Sequence, residues 1–336
     1  MSITTRQIAK QFKVHHSTVS RALRDDSRIS ESRRKEIKQF AKNKNYVPNM
    51  IAKSFFSKKT YTIGVIVPDL TNSFFSTITK GIEDFVNQKD YSVFICNTNE
   101  SIDEEKKDLN TLLEKRVEGI IVASATLNEK YFATLSKKEA SIVLVDRFPL
   151  NVPLSYVGIN NFEAAYKATK YLLSLGHIKI AHIMGGFEPK RMQGYSQALK
   201  DAGIKNTTKY IMQSGLRIND GYKSMQQLLK LKDPPTAVLS VTDTVAMGAI
   251  AAAKERELRV PDDISICGFD DIEYSQFIDP PLTAIKQPAY EIGRSAAEIL
   301  INGISDKHSG VKFKRKHILL DTELVIRKSC SKPKQK

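Results

Sequence analysis

VHHSTVSRAL, residues 14–23, sets two adjacent histidines, two hydroxyl side chains and one arginine on an apolar rhythm. Val19, Ala22 and Leu23 recur at i, i+3 and i+4, the inner stripe of a short helix over residues 16–24. His16, Ser17 and Arg21 fall on the opposite face. Residues 4–12, TTRQIAKQF, give an earlier helix with Ile8, Ala9 and Phe12 inward. Only KVH lies between the two, a corner too tight for antiparallel helices. Ser30 then caps a third helix, residues 31–44, whose inner stripe is Ile37, Phe40 and Ala41. Three short helices with one tight corner make a helix-turn-helix, which offers its second helix to the DNA major groove.

The chemistry of the outer face fits that geometry. Arg21 can donate two hydrogen bonds to the O6/N7 edge of guanine, and His16 and Ser17 can read less discriminating partners. Thr18 and Ser20 are short hydroxyls suited to phosphate oxygens, helped by the helix dipole. Adjacent residues on a helix point about 100° apart, so His15 and His16 do not chelate one ion. No nucleophile or carboxylate lies nearby to make either a catalytic base. Charge agrees. The first sixty residues hold fifteen Lys or Arg and four Asp or Glu, whereas the whole chain is +15, which leaves only +4 for the rest. A basic segment with apolar periodicity, attached to a nearly neutral body, points to a nucleic-acid partner rather than a solubilising tail.

The order of these pieces resembles the lactose/galactose-repressor family of bacterial transcription regulators. The matching residues are Ile8-Ala9, Val14, Thr18-Val19-Ser20-Arg21, Ile29-Ser30, Arg33, Ile37 and Tyr46-Val47-Pro48-Asn49. The chain departs from the pattern at Lys13, where the family has a corner glycine, and at His15, where it has a serine cap. Each departure is expected to cost about 1 kcal/mol. The resemblance implies a headpiece over residues 1–48 and a hinge over 49–60. It implies phosphate contacts at Thr5, Asn49 and Lys53, with Lys58 and Lys59 near the backbone. Phe55 takes the place of a wedge that unstacks a base step in the minor groove and kinks the duplex, and Ala52 lies on the packing side.

Beyond the hinge, YTIGVIV (61–67), YSVFIC (91–96), GIIVAS (119–124) and SIVLVD (141–146) alternate with amphipathic helices. After YVGIN (156–160) a helix spans 161–175. A second series follows with KIAHIM (179–184), TAVLS (236–240) and ISICGF (264–269). Short, continuously apolar strands alternating with helices make parallel sheets flanked by helices. The fold class is therefore α/β: an all-α headpiece and hinge, then a two-lobed core over residues 61–336, about five strands per lobe. The first lobe spans 61–160 and about 289–316, the second 161–288 and about 317–330, and the chain crosses between them three times. The cleft at the strand carboxyl ends is the expected ligand site.

This body is similar to periplasmic sugar-binding proteins, as the family's own body is. The motifs are PDLTNSFF (68–75), Val145-Asp146-Arg147, Leu175-Gly176-His177, Arg191-x-x-Gly194-Tyr195, Thr242-Asp243 with Ala246 and Gly248, Gly268-Phe269-Asp270 and PLTAIKQP (281–288). The resemblance implies effector contacts at Asn72, Phe74, Phe75, Asp146, Arg147, Arg191, Leu216, Thr242, Asp270 and Gln287. Asp146 and Asp270 can each accept paired hydroxyls, and Arg191 can donate in a fork. Asp243 reads better as a helix cap than as a ligand contact, Arg147 equally suits an ion pair, and one of Phe74 and Phe75 is expected in the core. Leu216 stands where several relatives stack an aromatic on the effector.

Enzymatic signals are missing. There is no G-x-G-x-x-G after the first strand, no G-x-x-x-x-G-K-[ST], no G-x-S-x-G and no H-E-x-x-H. Gly185-Gly186 reads as a turn, His177 and His182 as residues on different faces, and helix 101–116 as a solvated helix with i,i+4 ion pairs. Cys96, Cys267 and Cys330 lack ligand spacing and read as reduced thiols. No cofactor or metal is expected. No apolar run approaches the ~18 residues of a membrane span and the N-terminus has no secretory pattern, so a cytoplasmic protein is expected. SCSKPKQK at the end carries no leucine heptads, so no tail-built tetramer is expected.

The function expected is a ligand-responsive regulator, a repressor of sugar-use genes, binding a near-palindromic double-stranded operator as a homodimer and released or recruited by a carbohydrate-like effector. The rival is a sugar-binding or sugar-modifying protein with an incidental basic N-terminus.

Overall fold

The computed structural model describes residues 3–46, 59–138, 140–149, 151–186, 189–204, 208–311 and 314–334. Asn49, Lys53 and Phe55, with the rest of 47–58, lie outside the described residues. The chain forms two units, residues 1–60 and residues 61–336.

The first unit holds α1 (Thr5–Gln11), α2 (His16–Leu23) and α3 (Glu31–Asn43). Thr4 starts α1 through a capping box, accepting from Gln7 N while Gln7 Oε1 takes its own N–H at 2.8 Å. Ile8, Ala9, Val19, Ala22, Ile37 and Ala41 are buried together, with Phe12, Leu23 and Phe40 packed around them. The corner needs one left-handed residue, and Lys13 supplies it at φ 51°. The cap is not lost there. His15 occupies the N-cap position and its Nδ1 accepts the Ser17 N–H at 3.4 Å, so an imidazole does the work of a serine hydroxyl. Ser30 holds the N-cap position of α3 but makes no capping bond, contrary to expectation. Arg33 ties α3 to the corner instead, donating to Phe12 O at 2.9 Å with its guanidinium over the Phe12 ring.

Among the described residues the second unit contains two sheets of six strands rather than about five each. The first-lobe sheet is built from β1 (Thr62–Val67), β2 (Ser92–Asn97), β3 (Gly119–Val122), β4 (Ser141–Val145), β5 (Ser155–Ile159) and β11 (His317–Leu320). Its order is β11-β5-β4-β3-β1-β2, parallel throughout. Its helices are α4 (Ser73–Asn87), α5 (Ile102–Glu114), α6 (Glu129–Leu135) and α11 (Ala289–His308). The second-lobe sheet contains β6 (Ile180–Met184), β7 (Ile211–Gln213), β8 (Ala237–Ser240), β9 (Ser265–Asp270), β10 (Thr283–Lys286) and β12 (Glu323–Val325). The order is β12-β10-β9-β8-β6-β7, with only β12 antiparallel. Its helices are α7 (Asn161–Ser174), α8 (Pro189–Asp201), α9 (Ile218–Leu229) and α10 (Asp243–Glu255).

The central strands are buried along their whole length, as a sheet covered on both faces requires. The chain crosses between the sheets after β5, after β10 and after β11. The last crossing falls at 321–322, so residues 317–320 belong to the first lobe and not, as expected, to the second; His317 to Leu320 pair with Tyr156 to Ile159. Helix α5 also departs from its reading. Its ion pairs are i,i+3, Asp103–Lys106 and Glu104–Lys107, both at 3.2 Å. Glu105 points inward, fully buried, and accepts from Ser124 Oγ at 2.9 Å and Ala125 N at 2.6 Å. No helix among the described residues is long and apolar enough to cross a membrane.

Candidate functional site

The carboxyl ends of both sheets open on one cavity of about 280 Å³, and all ten residues assigned to the effector line it. Asp146 follows the last residue of β4 and Asp270 ends β9, so each lobe sends one aspartate in from the same kind of position. Both backbones are left-handed, φ 63° at Asp146 and φ 114° at Asp270. A side chain at such angles costs roughly 1–3 kcal/mol and persists where the surroundings over-determine it. Both carboxyls are buried, and that burial pushes each above the usual carboxylate range. Arg147 and then Arg191 oppose the rise at Asp146; Arg191 does so at Asp270.

The arginines are held by the protein itself. Arg147 forms the ion pair, bridging to Glu100 at 2.5 and 3.0 Å with Asp146 at 3.6 Å, and its guanidinium lies 5.6 Å from the Phe75 ring centre. Arg191 stacks 3.7 Å above the Phe269 ring, donates to Asn161 Oδ1 at 2.7 Å and to Val241 O at 2.6 Å. Gln287 donates to Asp270 Oδ1 at 2.7 Å. Asp146 Oδ1, Gln287 Oε1 and Ser214 Oγ are buried without a hydrogen-bond partner among the described residues. Buried polar atoms are nearly always satisfied, so three orphans on one cavity are free to accept hydrogen bonds from a molecule that enters it.

Two of the ten spend their side chains locally. Asn72 Oδ1 caps α4 by accepting from Phe74 N at 3.0 Å, and Thr242 Oγ1 caps α10 by accepting from Val245 N at 3.2 Å. Phe74 and Phe75 do not divide between ligand and core: both are buried, both line the cavity, and their rings meet edge-to-face at 5.2 Å. Leu216 lines the wall beside Gly185. Glu100, Asn99, Ser214 and Val241 line it too and were not found from the sequence. Nothing in TNE (98–100) announces a site; the signal is conformational, since Asn99 and Glu100 are consecutive left-handed residues, φ 50° and 62°.

Asp243 is neither the cap nor a cavity residue. It is fully buried and its Oδ2 accepts from Ile272 N at 2.9 Å and Ser275 Oγ at 2.6 Å, which clamps the 3₁₀ turn Glu273–Gln276 to α10. Burial raises its carboxyl to about 7. A carboxyl whose folded-state value exceeds its unfolded value weakens the fold as pH rises between the two. The core should therefore lose about 2 kcal/mol between pH 5 and pH 7 through this group. Asp243→Asn, which keeps the accepting oxygen, should flatten that loss in thermal unfolding run across the same range; an unchanged slope would assign the pH dependence elsewhere.

The histidines are structural in geometry. His177 Nδ1 meets Thr236 Oγ1 at 2.9 Å and its Nε2 meets Ser331 O at 2.9 Å. His182 Nδ1 donates to Leu239 O at 3.0 Å, and burial lowers its pKa to about 4, so it is neutral.

In the first unit, α2 buries Val19 and Ala22 and leaves His16 exposed, with Ser17, Thr18, Ser20 and Arg21 half-buried. The His15 and His16 rings lie 4.1 Å apart, and Ser17 Oγ meets His15 Nδ1 at 2.9 Å, which fixes the serine's orientation. Thr5 is half-buried at the start of α1.

Comparison with known proteins agrees with both units. The family model "Bacterial regulatory proteins, lacI family" matches residues 4–49, and "Periplasmic binding proteins and sugar binding domain of LacI family" matches residues 60–320. The chain is 36% identical over 330 residues to the HTH-type transcriptional repressor CytR of Escherichia coli K12, covering 97% of this chain and 96% of that one. It is 34% identical over 334 residues to the repressor PurR of Aliivibrio salmonicida, covering 98% and 99%. The structure of the Lac repressor dimer bound to operator and the anti-inducer ONPF superposes with a TM-score of 0.88 at 26% identity, covering 98% of this chain and 100% of that one. A helix-turn-helix and a two-lobed cleft, each matched along its length, make this chain a member of the lacI family of bacterial regulatory proteins: a DNA-binding transcription regulator and not an enzyme.

Proposed function

We propose that the chain is a cytoplasmic repressor that grips a near-palindromic operator as a homodimer and reports a neutral carbohydrate through its cleft. The observation that carries the effector reading is the set of orphaned acceptors, Asp146 Oδ1, Gln287 Oε1 and Ser214 Oγ, on a cavity that also holds two buried aspartates. Oxygens that lack donors fit hydroxyl groups. Arg147 and Arg191 already have carboxylate, amide or carbonyl partners, so the cavity offers little to a phosphate. A second copy of the chain is supported by the apolar surface left open on both lobes. Phe94 and Ile95 are about half exposed on the edge strand β2, and Tyr274 and Phe277 are 60% and 76% exposed in the second lobe. An edge strand of this kind is normally covered.

His16, Ser17 and Arg21 read base edges in this account, while Thr5, Thr18, Ser20, Asn49 and Lys53 hold phosphates and Phe55 wedges the minor groove. Effector binding changes the lobe arrangement and through it the grip on DNA, and the coupling is reciprocal. Selection of the full-length chain's operator from random duplexes, followed by titration with sugars, tests the whole reading. Arg21→Ala should cost roughly 1–3 kcal/mol on the selected operator and flatten preference at one base position. An unaltered base profile would take Arg21 out of direct readout. Failure to select any duplex would end the reading.

A further inference from the structure

We infer that Cys267 and Cys330 are a redox pair: a hydroperoxide closes them to a disulfide that latches the carboxyl-terminal strap, residues 326–334, onto the second-lobe sheet. Sixty-two residues lie between the two, so nothing in their spacing relates them.

The strap leaves β12 and runs across the starts of β9 and β10. Lys328 N donates to Pro281 O at 3.0 Å, Ile266 N donates to Ser329 O at 2.8 Å, and Ser331 N donates to Ser265 Oγ at 3.0 Å. Ser329 Oγ pins the register, accepting from Thr283 N at 2.8 Å and donating to Ile266 O at 2.5 Å. These bonds set Cys330 beside Cys267. Cys330 Sγ donates to Ile266 O at 3.3 Å, and that carbonyl belongs to the peptide leading into Cys267. Both residues pack into one apolar cluster with Tyr171 of α7. The Cys330 thiol, then burial, holds the Cys267 thiol above the usual range. Burial, then Cys330 and Cys267, push the Tyr171 phenol up to about 12. All three cysteines, Cys96 included, are free thiols in this structure.

Exposure assigns the order of reaction. Cys267 is fully buried, whereas Cys330 is partly exposed. A thiol held protonated and away from solvent does not meet the oxidant first. The Cys330 thiolate attacks the peroxide, the O–O bond breaks, the departing hydroxide takes up a proton as water, and Cys330 becomes a sulfenic acid. The Cys267 sulfur then attacks Cys330 Sγ. The S–O bond breaks, the hydroxyl leaves as water with the Cys267 proton, and the S–S bond forms. Two thiols lose two electrons and the peroxide takes them up. A resolving thiol next to the sulfenic acid keeps the oxidation reversible. In a reducing compartment such a bond is transient, closing under oxidant and reopening with thiols. The loop it closes leaves the second lobe after β10, passes through α11 and β11 of the first lobe, and returns at β12. Two of the three crossings lie inside that loop, so the latch removes the freedom of the whole excursion from the unfolded chain.

The test treats the full-length chain with hydrogen peroxide, then counts thiols, maps peptides without reduction and follows thermal unfolding. Cys267 and Cys330 should be recovered as one linked peptide pair. The unfolding midpoint of the core should rise by about 5 °C or more, and dithiothreitol should restore both thiols and the parent midpoint. Cys330→Ser keeps a donor for Ile266 O, so it should fold like the parent. It should also keep the Cys267 thiol through the same treatment and show no rise. A Cys330 stopped at sulfinic acid with Cys267 still a thiol, or Cys330 linked to a second chain, would overturn the inference. Three intact thiols after treatment would do the same. So would a linked pair that leaves the midpoint where it was, because the bond would then latch nothing.

Discussion

In Asp270→Asn, carbohydrate binding should weaken at least about 100-fold while the effector-free chain holds its operator as tightly as the parent. The asymmetry follows from what the substitution keeps. Asparagine is the same size, tolerates a left-handed backbone better than other non-glycine residues, and still offers Oδ1 to the Gln287 Nε2–H that Asp270 accepts at 2.7 Å. It removes the charge and turns one acceptor into a donor. Charge-assisted hydrogen bonds are worth about 1.5–3 kcal/mol each, and a buried donor facing a hydroxyl hydrogen adds a desolvation cost of similar size. Two such effects exceed the ~2.7 kcal/mol that 100-fold requires. Calorimetry with the sugar found by titration reads the first half of the claim, and operator binding without sugar reads the second. Loss of operator affinity in the variant would show that Asp270 holds the lobe together and does not simply meet the ligand.

Periodicity and residue chemistry carried the architecture because each decisive element states its own pattern. GIIV throughout and TIGVIV after its first residue carry no polar side chain, as doubly covered strands require, and Val19 with Ala22 marks the inner face of α2. Where the reading failed, the deciding contact was distant in sequence. Glu105 looks like one more charge on a solvated helix, but its partners are Ser124 and Ala125, nineteen and twenty residues on. HILL at 317–320 was expected in the second lobe, and only its pairing with β5 places it in the first. His15 shows a third kind of miss, since a nitrogen acceptor can cap a helix although the oxygen side chains are the ones cap rules name. In the cleft, every candidate drawn from the family resemblance lines the cavity, whereas Glu100 escaped because its role comes from backbone conformation and from an arginine 47 residues away.

Glycines 194 and 248 belonged to the matching motifs without any physical reason attached, and the packing supplies one that makes a severe prediction. A Cβ on Gly248 of α10 would stand 1.9 Å from Ile218 O and 2.7 Å from Tyr222 N, both backbone atoms of α9. A Cβ on Gly221 of α9 would stand 2.0 Å from Val245 O in return. The two helices therefore touch backbone to backbone, with no side chain able to swing aside. The first lobe repeats the device, where Gly81 of α4 faces Tyr290 O at 2.2 Å and Gly293 of α11 faces Ile78 O at 2.0 Å. Even one methyl must push whole helices apart, so Gly248→Ala should destabilise the core by about 3 kcal/mol or more, the upper part of the range for overpacking. Gly203→Ala is the matched control: nothing lies within 4 Å of its Cβ, and only the φ of 72° is strained, for a cost of about 1 kcal/mol. Because α10 is capped by Thr242 on the cavity wall and begins with the buried Asp243, displacing α10 should also weaken sugar binding. Thermal unfolding of the two variants side by side decides the matter: equal losses would mean that α9 and α10 can separate cheaply, and the backbone contact would then carry none of the lobe's stability.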